Sequence, residues 1–200
     1  MATFPLIAPP LVPQTERLLL SHNAGVMRSP FAGNQTTIEN FSEWVLELGF
    51  GIQSVASAKP FMAWRDSLRG TVGTFYYQPF GSGKPVTGKT LTATAFAYSD
   101  TISVDGWSAS QATTLVAGDF LSIGNKLFRI GNVPTNADAN GQCIIEVAPR
   151  VRSDFAAGTS VEFQNPRGLF RQVDEPDKGS GYSRDPDSYR VDSLSAREVL

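Results

Sequence analysis

Apolar and acidic positions alternate between residues 36 and 50. Written as an extended chain, this stretch puts Ile38, Trp44, Leu46, Leu48 and Phe50 on one face and Glu39, Glu43 and Glu47 on the other. The period then changes from two to three or four. Ser57 can cap a helix whose early turn accepts Pro60, Phe61, Trp64 and Leu68 fall at i, i+3 and i+7, and Gly70 follows, which predicts a helix over 57–69. Gly73–Tyr77 returns to a strand pattern, so the helix reads as a short crossover packed on a sheet.

Upstream, Pro5, Pro9, Pro10 and Pro13 make residues 1–14 an extended arm. Its Leu6, Ile7, Leu11 and Val12 need cover, either as a terminal strand folded back on the same domain or laid across a neighbouring subunit. Glu16–His22 predicts a strand, Asn23-Ala24-Gly25 a turn, and Val26–Arg28 the return of a hairpin. The loop from Arg28 to Gln35 lifts Phe31, an aromatic placed either to plug its own core or to meet a partner.

After Tyr77 the texture shifts. Residues 78–89 carry the Gly, Pro and Ser density of a boundary loop. Between about 90 and 165 charge is sparse, and strands are predicted at Leu91–Tyr98, Thr101–Trp107, Phe120–Ile123, Lys126–Val133, Gln142–Val147 and Ser160–Phe163. From Asn165 the first texture resumes, with a strand over Gly168–Val173, a polar loop from Asp174 to Ser188 whose composition predicts mobility, and a last strand over Tyr189–Leu200. The expected plan is a discontinuous domain of residues 1–84 and 166–200, holding helix 57–69, with a small all-β barrel or sandwich, residues 85–165, inserted in it.

Composition agrees with a mostly β fold, since eighteen Gly and thirteen Pro punctuate a chain rich in Val, Ile, Thr, Phe and Tyr. The formal charge of −2 and the scatter of seventeen basic residues argue against specific nucleic-acid binding, although copies could pool basic residues. A single cysteine, Cys143, excludes an internal disulfide and a cysteine-based zinc cluster. The apolar start lacks a basic region and is broken by prolines, and no run reaches membrane-spanning length, so a protein made in the cytoplasm without membrane insertion is expected.

Catalytic patterns are not evident. The one histidine, His22, sits in a strand with no nucleophile beside it in sequence, and Cys143 lies in a core-like strand. Glu39, Glu43 and Glu47 have the types for paired-acid glycoside chemistry but also those of an ordinary polar sheet face. Asp174-Glu-Pro-Asp177 and Asp185-Pro-Asp187 lack the alternation of a calcium loop, and Gly70, Gly73, Gly81, Gly83 and Gly88 lack phosphate-loop spacing. No enzyme, cofactor or metal is expected.

Arg28-Ser-Pro-Phe-Ala-Gly-Asn-Gln35, the Glu43-Trp44 strand, Trp64-Arg-Asp-Ser-Leu-Arg-Gly70, Gly73-Thr-Phe75 and Asn165-Pro-Arg-Gly-Leu-Phe-Arg171 together resemble a family of distal tail or tail-tip structural proteins of long-tailed bacteriophages. The resemblance implies a tail-tube-like β-sandwich with one flanking helix and an outer inserted β domain. It also implies a virion location in a homo-oligomeric ring, commonly a hexamer. Such a ring would join the tail tube to the tip or baseplate hub, near the tape-measure protein. The candidate assembly interface is then Leu6, Ile7, Leu11, Val12, Arg28 and Phe31. Two rival readings remain open: a carbohydrate- or receptor-binding module using Phe96, Tyr98 and Trp107, and a cell-wall-degrading tail enzyme using the three glutamates.

Overall fold

The computed structural model describes residues 4–28, 35–173, 182–185, 188–191 and 193–199, with side chains described outside 26–28, 35–40 and 182–185. The chain is mostly β, with one helix among these residues. Strands β1 (Thr15–Arg28) and β2 (Gln35–Gly49) run antiparallel along their whole length. The turn expected at Asn23-Ala24-Gly25 is therefore not one. Phe41 faces Asn23 and Glu39 faces Ala24, so Asn40 is extra and forms a bulge. Asn23, Ala24 and Gly25 each keep a partner on β2, and this long partner strand supplies ladder bonds that a tight turn would forfeit. The same bulge interrupts the alternation that was expected to run unbroken from Ile38 to Phe50.

β2 continues into a five-stranded sheet of order β1-β2-β14-β11-β4, where β4 is Thr74–Tyr77, β11 Gly168–Gln172 and β14 Leu194–Glu198. Trp44, Leu46, Leu48, Phe75, Phe170, Leu194 and Ala196 are fully or almost fully buried on one face of it. A second sheet, order β12-β13-β3, holds β3 (Gly51–Ser54), β12 (Tyr182–Asp185) and β13 (Ser188–Val191), and its Tyr189 and Val191 enter the same core. Gly51, at φ 62, lets the chain pass from one sheet to the other, and a side chain there would overlap Gln14.

The sequence placed β12 inside a mobile loop and read one final strand. Instead Val191 and Leu194 belong to different sheets, so the last segment divides into β13 and β14. Residues 174–181, most of that polar loop, lie outside the described residues.

Helix α1 spans Val55–Leu68, two residues earlier than expected, because Ser54 rather than Ser57 is its cap. The Ser57 amide donates to Ser54 Oγ at 3.3 Å. Arg69 turns left-handed at φ 55, and the Gly73 amide donates to the Leu68 carbonyl at 2.8 Å to close the end. Ala58, Phe61 and Leu68 are buried and Trp64 is half-buried. Phe61 lies 4.3 Å from Phe50, and Trp64 5.2 Å edge-on to Phe75, centroid to centroid, which ties the helix to the sheet.

The inserted residues close a barrel of order β10-β5-β6-β9-β8-β7, with β5 Lys89–Leu91, β6 Thr101–Asp105, β7 Phe120–Ile123, β8 Lys126–Asn132, β9 Cys143–Ala148 and β10 Ser160–Glu162. Its own core runs from Val86 to Phe163. The strand expected over Leu91–Tyr98 stops at Leu91, and beyond it only Ala95 pairs, with Phe155.

Candidate functional site

Three surfaces bring together the residues singled out by sequence: the β1–β2 hairpin, the N-terminal arm and the junction of barrel and sandwich. β14 pairs β2 only at Val45–Leu48, yet β1 and β2 stay paired outward to Arg28 and Gln35. From the pair Asn23–Phe41 onward, no third strand joins this ribbon among the described residues. It is about 20 Å long at the usual strand rise. Asn23, Ala24, Gly25 and Phe41 are exposed on it. β1 is also the sheet's outer edge, with fourteen residues whose other side pairs with no described strand.

The arm docks on its own domain. The Leu6 amide donates to the Thr74 carbonyl at 2.8 Å, the Tyr76 amide donates to the Leu6 carbonyl at 3.0 Å, and Trp64 Nε1 donates to the Ile7 carbonyl at 3.1 Å. Leu11 is buried and Leu6 half-buried, so these two side chains pack on their own domain, the first of the two placements the sequence left open for the arm. An extended backbone faces its side chains alternately, which is why their neighbours point away: Ile7 is 81% and Val12 73% exposed. The side chain of Arg28 and all of Phe31 lie outside the described residues.

On the sheet's outer face Glu47 pairs with Arg17 at 3.2 Å, and Glu43 with Arg197 at 2.8 Å. Both acids are thus engaged across strands. The Glu39 side chain is outside the described set. His22 Nδ1 lies 2.8 Å from Ser42 Oγ, directly opposite on β2. Cys143 is a buried core residue whose thiol burial pushes up to about 11. Trp107, taken as a possible sugar platform, is also core, with Lys89 Nζ 4.6 Å from its ring centroid. Phe96 and Tyr98 are 65% and 76% exposed on a turn closed by the Ser99 amide donating to the Phe96 carbonyl at 3.2 Å. Among the described residues no three His, Cys, Asp or Glu side chains gather as a metal site. The acids at 174–177 and 187 lie outside those residues.

No protein-family model matches this chain, and no curated protein is significantly similar to it.

Sequence gave no hint of the junction. Leu127 of the barrel packs into the sandwich core, and Trp44 Nε1 donates to its carbonyl at 2.9 Å. Arg129 lies 4.9 Å from the rings of both Trp44 and Phe120. Glu198 Oε1 accepts the Leu127 amide at 2.8 Å. Its Oε2 lies 2.8 Å from an Arg152 guanidinium nitrogen, close enough for charge attraction but without hydrogen-bond alignment. Burial raises the Glu198 carboxyl even though Arg152 opposes it, as an imperfectly compensated charge should behave. The partners stand 46 and 71 residues apart from Glu198, so no local spacing encodes them.

Proposed function

We propose that the protein is a non-enzymatic structural component of a phage virion, a ring-forming distal tail protein that joins the tail tube to the tip. The observation that carries this reading is the β1–β2 ribbon with its open edge. A two-stranded ribbon is marginal in water by itself, and an unprotected long edge invites pairing, so both features make sense in a molecule that works as one of several copies. The engaged glutamates and the buried cysteine support a non-catalytic role. A hexamer is the expected count from the resemblance.

Ile7 is 81% and Phe41 39% exposed, so Ile7→Ser should leave the melting temperature unchanged and Phe41→Ser lower it modestly, while both weaken assembly. Light scattering after size exclusion, over a concentration series, reads the result. A wild-type protein that stays monomeric at every concentration, or rings equally formed by both variants, refutes the reading.

A further inference from the structure

On the outer wall of the barrel lies an open groove of about 520 Å³, lined by Ser103, Asn132, Asn136, Asp138, Gln142 and Ile144. It is made by an irregularity in β8: the register against β9 slips between Ile130 and Asn132, and the chain then leaves the barrel. Ser103 and Ile144 are direct partners across β6 and β9, so they share the outward face beside that slip. Ile144 is 65% exposed, an aliphatic side chain on a face where a polar one would be expected.

The rim is held in place. Asp138 Oδ1 accepts the Asn140 and Gln142 amides at 2.8 Å each, the Ala137 amide donates to the Gln111 carbonyl at 2.8 Å, and Thr113 Oγ1 donates to the Pro134 carbonyl at 2.9 Å. The side-chain carboxamides of Asn132, Asn136 and Gln142, by contrast, make no hydrogen bond to any described residue. Three fixed positions thus present unspent donors and acceptors around a small apolar floor.

Each carboxamide offers both a donor and an acceptor, which suits hydroxyl groups that are also both. The lining holds no cation, which disfavours phosphate or carboxylate ligands, and a single carboxylate is too few for a hard cation. The volume lies in the usual range for small-ligand sites. We propose that this groove binds a neutral saccharide, its hydroxyls on the three carboxamides and the Asp138 carboxylate and its C–H face on Ile144. One chain carries every lining residue, so the site needs no neighbouring copy to complete it.

The test is amide chemical-shift mapping on the full chain, titrated separately with N-acetylglucosamine, glucose and galactose to about 50 mM, because single rings bind in the millimolar range. Saturable shifts at Asn132, Asn136, Gln142 and Ile144 with at least one sugar are expected. The double variant Asn136→Ala/Gln142→Ala should keep its fold and bind that sugar about tenfold more weakly. No saturable shift with any of the three, shifts centred on Phe96 and Tyr98, or shifts that the double variant leaves unchanged would overturn the proposal.

Discussion

Removing Glu198 tests how the barrel is fastened to the sandwich. Its side chain is fully buried, one oxygen holds the Leu127 amide at 2.8 Å, and the other faces Arg152, itself only 14% exposed. Glu198→Ala therefore strands a backbone donor and a buried cation together, and breaking a buried pair from one side costs about 3–5 kcal/mol. Glu198→Gln keeps an acceptor for Leu127 but still leaves the Arg152 cation without its counter-charge, so it should cost less than alanine, about 2–3 kcal/mol. The double change Glu198→Met/Arg152→Met should cost less than the sum of Glu198→Met and Arg152→Met alone, a coupling energy of about 2 kcal/mol, while the Leu127 amide stays unpaired in it.

Urea unfolding followed by tryptophan fluorescence reports on both parts, because Trp44 and Trp64 lie in the sandwich and Trp107 in the barrel. Glu198 also fixes a sign. Its folded carboxyl is raised by burial, so its contribution to stability is complete below the unfolded value and is lost as pH rises through the folded one. Glu198→Gln should flatten the pH dependence of stability above the ordinary glutamate range. An alanine variant within 1 kcal/mol of wild type, by the same measure of buried-pair loss, would refute this account of the junction.

Trp64→Ala should destabilise by about 3 kcal/mol, at the low end for a large aromatic since the ring is half-buried, and should also free the arm by removing the bond to the Ile7 carbonyl. Faster proteolysis within residues 5–13 alongside a lowered melting temperature checks it, and an unchanged temperature contradicts it. Cys143 should resist alkylation at neutral pH and react only on unfolding, because its thiol is buried and held protonated up to about 11. Rapid labelling of the native protein would show that the barrel opens there.

Alternation in Trp44–Phe50, the i, i+3, i+7 face of the helix and the turn residues between 90 and 165 determined the mostly β class, the single helix and most barrel strands, since these signals are local. Tertiary structure decided what local signals leave degenerate. Asn23-Ala24-Gly25 suits a turn, and only pairing with β2, which takes up the extra residue Asn40 as a bulge opposite it, keeps it extended. Leu6 and Ile7 are equally apolar, yet the first bonds β4 and the second faces outward, because an extended chain docked on an edge has two sides. Leu127, Arg152 and Glu198 meet only after the barrel closes and β14 enters the sheet. The carboxamides of Asn132, Asn136 and Gln142 are likewise separated in sequence by a loop, and their convergence follows from the register slip in β8. Periodicity records which side of an element is buried. It carries no information about which distant element covers that side, because that choice depends on contacts formed only when the chain is closed.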